Sequence, residues 1–550
     1  MKTCPNCSTP FEISSADQAF YKKLEVPEPT LCPSCRQQRR LSWRNERSFS
    51  HRKCDLSGKQ MISMYSANKP FKVFNQEEWW SDRWDPLAYG REFDFSRPFF
   101  DQLAELMKEV PRINLMNTNH ENSEYCNYAI RNKNSYLLFT SGENEDGLYS
   151  NRCFQNETIC DCSNLAKCEL CYETIDSENC YRCSWVENSS GCSDCSFCFD
   201  MKNCQNCLAC FGLVNKKFCI GNKQFSEEEY KKISAELLND IDKLKKNFQQ
   251  QKSAVVRCFT CGINNENSTG DYNYNCKNAK HCFEVTGLED CQYVSSATKL
   301  KDCCDVDNDD NSELVYEACG SESNYFHRFN ESCWFDKYCT YCSLCFYSEN
   351  CFGCVGLKRK KYCILNKQYT KEEYEALVPK IIKQMSGPAL RSSAKQSEGW
   401  GEFFPTSLSP FGYNETMARD YYPMTRAEVL KYGWKWQDSG DQTDYQGPKV
   451  EIPSDIKAVT NEIIGKILIC EKSGRPYKVI QQELGFYRNM SLPIPRMCPE
   501  QRYLDRLSRR NPRKLWSRQC TKCETAISTS YSPERPEKVY CEKCYLETIY

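Results

Sequence analysis

The stretch whose reading decides the fold runs from Cys168 to Cys204, CELCYETIDSENCYRCSWVENSSGCSDCSFCFDMKNC. Cys168, Cys180, Cys192 and Cys204 recur at every twelfth residue, and Cys171, Cys183, Cys195, Cys207 and Cys219 keep the same interval three positions on. Each Cys-x-x-Cys pair taken alone reads as half a zinc site, because one tight knuckle supplies two thiolates. The run does not stop after four cysteines, however. Residues suited to turns stand before the first cysteine of a pair: Asn179, Gly191 and Asn203, with Asp290, Asp302 and Asn350 further along. Short apolar strands between evenly spaced turns predict a β-solenoid, with rungs of two twelve-residue units each.

A shift of 144 lays this region on a second one. Cys207-Leu-Ala-Cys210 falls on Cys351-Phe-Gly-Cys354, and the CIGNKQFSEEEY run from Cys219 falls on the CILNKQYTKEEY run from Cys363. Under that shift Cys171 meets Val315, Cys162 meets Val306, Cys153 meets Ala297, and Ile159 and Ile175 meet Cys303 and Cys319. A metal ligand does not exchange with valine, whereas a buried thiol packs as a small hydrophobe and does. Most of the 30 cysteines between residues 126 and 363 are therefore expected to fill a narrow core, with metal binding and disulfide or redox chemistry as the alternatives. Six pairs stay cysteine in both halves: Cys160, Cys195, Cys198, Cys207, Cys210 and Cys219, with Cys304, Cys339, Cys342, Cys351, Cys354 and Cys363. They are the positions to inspect for metal. Each half ends in a capping box, Ser226 with Glu229 and Thr370 with Glu373. One apolar helix face follows each, Tyr230, Ile233, Leu237, Ile241 and Leu244 in the first, and Tyr374, Leu377, Ile381 and Met385 in the second. Residues 386–397 read as a linker. The aromatic and proline-rich stretch after residue 400 is expected to pack irregularly.

The two ends of the chain are also copies, related by a shift of 466 without a gap. Cys4 falls on Cys470, Phe20-Tyr21 on Phe486-Tyr487, Cys32-Pro33 on Cys498-Pro499, and Arg36, Arg40, Arg44 and Arg47 on Arg502, Arg506, Arg510 and Arg513. Tetrahedral zinc wants two knuckles. The N-terminal copy offers Cys4, Cys7, Cys32 and Cys35; the C-terminal copy offers Cys520, Cys523, Cys541 and Cys544. Each copy has lost the set that the other keeps. Cys7 and Cys35 become Ser473 and Gln501, while Cys523, Cys541 and Cys544 appear as Ser57, Asn75 and Glu78. Whole sets persisting while half-sets are replaced is how ligands behave, and it predicts about two Zn2+ per chain. Cys54, Cys470 and Cys498 then read as buried thiols.

Residues 4 to about 45, CPNC followed by FYKKLEVPEPTLCPSCRQQRR, resemble a zinc-ribbon, treble-clef-like domain found in many bacterial proteins. The resemblance implies a structural zinc on Cys4, Cys7, Cys32 and Cys35. The whole chain is similar to a set of long cysteine-rich bacterial proteins with the same modules, the NKQY helix start and the LSPF-x-YNET stretch. Some of that set carry a CaiB/BaiF coenzyme-A transferase label. The present sequence has neither α/β alternation nor a CoA-binding pattern to support it.

Arg36, Arg40, Arg44 and Arg47 step by helical intervals, as do Arg502, Arg506, Arg510 and Arg513. Such a stripe suits phosphate and is a candidate nucleic-acid contact; a solvated face, or pairing with carboxylates elsewhere in the chain, is the plainer alternative. Trp79, Trp80 and Trp84 are either base-stacking platforms or packing surface. Seventy-three Lys and Arg against 74 Asp and Glu exclude a globally basic nucleic-acid binder. No stretch is apolar enough to span a bilayer, and no apolar signal segment opens the chain, so a reducing, cytoplasmic setting is expected for its 41 cysteines.

These readings predict a mainly β, multidomain chain: two zinc-ribbon/treble-clef-like modules flanking a duplicated, short-rung, Cys-rich β-solenoid with appended helices. The expected divisions are 1–110 (N-terminal module), 111–250 and 251–390 (the two halves), 391–460 (linker and aromatic segment) and 461–550 (C-terminal module). The expected function is non-enzymatic: a zinc-binding scaffold for an unknown protein or nucleic-acid partner, with metal handling or thiol redox by the cysteine ladder as the alternative.

Overall fold

The computed structural model describes residues 1–387, 399–438, 447 and 450–549. In its middle the backbone turns into the left-handed region at every third residue; Arg131, Asn134, Leu137 and Thr140 have φ of 50, 48, 55 and 50°. Each triplet thus supplies one inward residue, one outward residue and one corner. The corner costs about 1–2 kcal/mol for a residue other than glycine, and regular hydrogen bonding compensates. Corner N–H groups reach back thirteen residues, as Arg131 N to the Thr118 carbonyl at 3.0 Å, and outward N–H groups reach forward eleven, as Asn127 N to the Leu138 carbonyl at 3.1 Å. The six turn residues picked out in the sequence, Asn179, Gly191, Asn203, Asp290, Asp302 and Asn350, are all corners.

Parallel partners lie twelve residues apart in both halves. Ile159 pairs with Cys171, Ser184 with Ser196 and Cys207 with Cys219; Ser295 pairs with Asp307, Val315 with His327 and Cys351 with Cys363. The repeating unit is one period of twelve, which corrects the expectation of two per rung. The corner pattern hid this, because Leu137, Trp185 and Phe197 also occupy corners and carry no turn signature.

Inward positions leave room for small side chains, and cysteine dominates them. Cys171, Cys183, Cys195 and Cys207 lie in one fully buried cluster, and Cys339, Cys342, Cys351 and Cys354 in another. Their thiols spend themselves on the backbone: Cys171 Sγ donates to the Glu169 carbonyl at 3.4 Å and the Cys180 carbonyl at 3.7 Å, and Cys183 repeats the pattern on Tyr181 and Cys192. Cysteine there is a small hydrophobe with a weak donor.

Both capping boxes form. The helix of the second half is continuous over Lys371–Ser386 and buries Tyr374, Ile381 and Met385. The first is broken into Glu227–Leu237 and Ile241–Ala254, because Asp240 caps a new start by accepting from Lys243 N at 3.0 Å. Tyr230, Leu244 and Phe248 are buried, while Leu237 faces out, a correction to the single-face reading. The linker expected at 386–397 lies almost entirely outside the described residues. The aromatic segment after it packs through short 3-10 turns, and Phe403 and Phe404 are fully buried against Trp43. Among the described residues no helix is long and apolar enough to cross a membrane.

Candidate metal centres and the helices that dock beside them

The terminal modules repeat the same elements in the same order. A short hairpin, Lys2–Thr3 with Pro10–Phe11, is followed by helices Ser15–Lys23 and Pro33–Leu41; the C-terminal copy has Leu468–Ile469 with Pro476–Tyr477, then Gln481–Met490 and Pro499–Ser508. A second hairpin and helix follow in each, Ser50–Lys53, Gln60–Ser63 and Gln76–Trp80 in one, Trp516–Gln519, Ala526–Thr529 and Glu542–Ile549 in the other.

In the N-terminal module Cys4 and Cys7 sit in the first hairpin turn, which Ser8 closes at φ 59°. Cys32 is the N-cap of Pro33–Leu41 and Cys35 lies in its first turn. Proline fits that first position because its missing N–H has no partner there in any case. One sulfur from each of the four falls within 4.8 Å of the others, and Cys7 Sγ to Cys32 Sγ is 3.6 Å. A hydrogen bond from Cys35 brings the Cys32 thiol down to about 5 against its burial, and Cys35 is pushed up in return. A helix N-terminus favours thiolate in the same way.

Cys520, Cys523, Cys541 and Cys544 form the second cluster to the same 4.8 Å limit, from the second hairpin and the start of the last helix. Cys523 Sγ to Cys541 Sγ is 3.7 Å. The Thr525 hydroxyl and then its backbone N–H lower Cys523 to about 6. Both clusters are thus arranged as a tetrahedral metal site requires, and both can hold an ion.

The half-lost sites keep their geometry with other chemistry. Asn75 N donates to Cys54 Sγ at 3.4 Å, as Cys541 N does to Cys520 Sγ at 3.3 Å. The Asn75 side chain then caps its helix by accepting from Glu78 N at 2.9 Å. Ser473 lies 3.7 Å from Cys498 Sγ, matching the Cys7–Cys32 contact. The six twice-conserved ladder pairs are not brought together as ligands: among the described residues none belongs to a group of three or more ligand atoms within 4.8 Å.

The arginine stripes have a different destination from the one expected. All eight side chains are at most 8 % exposed. Arg36 Nε meets Asp305 at 2.6 Å, and Arg40 meets Asp305 at 3.3 Å and Asp307 at 3.4 Å. Arg44 pairs with Glu46 at 2.6 Å and Arg47 with Asp420 at 3.0 Å. In the other module Arg502 pairs with Asp161, Arg506 with Asp161 at 2.8 Å and Glu173 at 3.4 Å, Arg510 with Asp176 at 2.9 Å, and Arg513 with Glu284 at 2.6 Å. The phosphate-tracking expectation is corrected by this burial: the guanidinium groups are engaged inside the molecule, and removing one partner of such a pair leaves an uncompensated buried charge.

The two duplications meet in these contacts. Asp161 and Glu173 of the first half are the 144-shift counterparts of Asp305 and Glu317 of the second, and Arg39 binds Glu317 at 2.7 Å. The N-terminal module docks its helix on the second ladder, and the C-terminal module docks the equivalent helix on the first. Tyr21 OH lies 4.0 Å from Cys304 Sγ, and Tyr487 OH lies 3.8 Å from Cys160 Sγ. That contact explains why these two cysteines persist in both halves although they point outward. Each module also joins the other ladder's beginning: Val73–Phe74 pairs parallel with Arg112–Ile113, and Val539–Tyr540 with Arg257–Cys258. Sequence reasoning missed the carboxylates, although their survival under the 144 shift was a visible signal. Of the tryptophans, Trp79 is fully buried against Phe346, with ring centroids 5.4 Å apart, and Lys358 lies over Trp79 and Trp84; Trp80 is partly exposed.

No protein-family model matches the chain, and no curated protein matches it. The fold and the site therefore define its class by themselves: a cysteine-rich, mainly sheet, multidomain protein with two four-cysteine clusters able to hold metal, whose 41 cysteines are all unpaired.

Proposed function

We propose that this chain is a zinc-stabilised, non-enzymatic scaffold acting in the cytoplasm. Each four-cysteine cluster holds one Zn2+ in a zinc-ribbon/treble-clef-like module, and the twelve-residue ladders are a duplicated short-rung β-solenoid. Crossed docking carries the reading. Arg36, Arg39 and Arg40 of one module and Arg502, Arg506 and Arg510 of the other are spent on buried ladder carboxylates, and the metal sites hold the modules that present them. Unpaired thiols throughout suit a reducing compartment. The ladder thiols donate to backbone carbonyls, which favours a core role over redox chemistry. The partner is a protein, bound on two adjacent corner rows of the second ladder. There Phe335 and Tyr347 stack at 4.9 Å and are 39 and 49 % exposed, and Tyr338 on the neighbouring row is 44 % exposed against Tyr325 and Phe326; exposed aromatics of this kind are typical binding anchors.

The test combines metal analysis with partner recovery. Cys4→Ser with Cys7→Ser, and Cys520→Ser with Cys523→Ser, are each expected to remove one zinc per chain. Phe335→Ala with Tyr338→Ala and Tyr347→Ala is expected to lose the co-purifying protein and keep the metal. Unchanged zinc in either quartet variant, or an unchanged partner in the aromatic variant, refutes the corresponding half of the proposal.

A further inference from the structure

The triplet phase of the second ladder places His327, Asn330, Cys333 and Asp336 at the inward positions of a single twelve-residue period, and all four are 0 % exposed. The period before it carries Val315, Ala318, Ser321 and Asn324 inward, and the period after it Cys339, Cys342, Cys345 and Ser348. At the matching place the first ladder has Cys183, Val186, Ser189 and Cys192. Packing alone therefore gives no reason for an imidazole and a carboxylate here.

Asn330 is fully used: its amide donates to the Cys339 carbonyl at 2.8 Å and accepts from Cys342 N at 2.6 Å. His327 is not. Neither its Nδ1 nor its Nε2 has a hydrogen-bond partner, and Asp336 Oδ2 has none either, although Asp336 Oδ1 accepts from Ser348 N at 2.6 Å. Leaving each such group dry costs about 1–3 kcal/mol, and more for a charge. One ligand atom each from His327, Cys333 and Asp336 lies within 4.8 Å of the others. Around zinc, with Zn–N near about 2.0 Å and Zn–S near about 2.3 Å, tetrahedral ligand atoms sit about 3.3–3.8 Å apart. An ion bound by all three would draw their separations into that range.

We propose that this period is a third metal site, inside the second ladder, taking one divalent transition metal on His327, Cys333 and Asp336. A nitrogen, a sulfur and an oxygen together suit Zn2+ and disfavour Mg2+ or Ca2+, which want oxygen alone. The ion satisfies one of the two unpartnered imidazole nitrogens together with the carboxylate oxygen and pins the middle of the second ladder. The site has no exposed ligand, so the metal enters as the ladder closes. It is independent of the two cysteine quartets.

Full-length protein prepared under reducing conditions with zinc supplied tests this. Elemental analysis is expected to give about three ions per chain, of which the quartet variants each remove one. X-ray absorption at the zinc edge is expected to show nitrogen or oxygen scatterers beside sulfur, because both quartets are all-sulfur. His327→Ala and Asp336→Asn are each expected to lose one ion together with that light-atom scattering. A brief chelator treatment is expected to strip the quartets, whose Cys7 and Cys523 are exposed, before the interior ion. All-sulfur coordination in the unaltered protein overturns the proposal without any variant, even when both quartets are filled. So does full retention of the ion by folded His327→Ala.

Discussion

The two terminal modules dock the same helix on equivalent carboxylates, yet they fix the start of that helix by different means. In the N-terminal module Cys35 immediately precedes Arg36, and the cluster of Cys4, Cys7, Cys32 and Cys35 holds the helix N-terminus. In the C-terminal module Ser473 and Gln501 replace two of those ligands, and a carboxylate network takes over. Glu483 accepts from Tyr149 OH and Tyr487 OH at 2.7 Å each and pairs with Arg502 at 3.2 Å. Its N-terminal counterpart, Asp17, is one methylene shorter and turns back to its own helix cap. There it accepts from Ser14 N and Ser14 Oγ at 2.8 Å each, and Arg36, besides its pair with Asp305, donates to the Leu31 carbonyl at 2.8 Å. The difference teaches that the docking helix needs a fixed origin, and that a four-cysteine cluster or a buried hydrogen-bonded carboxylate supplies it.

The severest way to break this comparison is to remove the arginine common to both sides. Arg506→Ala takes from Asp161, which is 0 % exposed, one of its two arginines and leaves Arg502 as the other, and is expected to cost about 3 kcal/mol in denaturant unfolding, the lower end for breaking a buried pair. Arg40→Ala is expected to do the same at the second ladder. A loss below about 1 kcal/mol, the scale of an exposed pair, would show that the docking contacts do not carry the assembly. The asymmetry itself is sharpened by Glu483→Gln, expected to cost about 1–3 kcal/mol because it leaves buried polar groups badly matched. Asp17→Asn, which weakens only a helix cap, is expected to cost about 0.5–1 kcal/mol. Equal losses would erase the distinction. The gentlest change restores what the C-terminal copy lacks. Ser473→Cys with Gln501→Cys, beside the existing Cys470 and Cys498, is expected to add one zinc per chain in elemental analysis with little change in stability, since Glu483 already holds the helix. No added metal would mean that the vacated site has lost its geometry as well as its ligands.

Much of this was legible along the chain. The exchange of Cys171 for Val315 and of Cys153 for Ala297 marked the ladder cysteines as core, and their thiols are buried and bonded to backbone carbonyls. The complementary loss of half-sets marked Cys4, Cys7, Cys32 and Cys35 and Cys520, Cys523, Cys541 and Cys544 as units, and each set converges. The triplet corners were not legible, because hydrogen bonding to neighbouring periods holds Trp185 and Phe197 in left-handed backbone that their side chains do not advertise. The direction of the arginine stripes was hidden for another reason. A row of guanidinium groups at helical spacing looks the same whether phosphate or Asp305 faces it.

The sequence by itself determined the period of twelve, both duplications and the two ligand sets, since each depends on spacing within a few dozen residues or on identity between copies. Only the tertiary structure decided that the modules cross, each helix clamping the more distant ladder, and that Arg39, Arg40 and Arg506 pair with Glu317, Asp305, Asp161 and Glu173. Ligand spacing is written into the local chain, whereas the partner of a buried charge is chosen by which surfaces pack, and hundreds of residues separate the two sides of each pair.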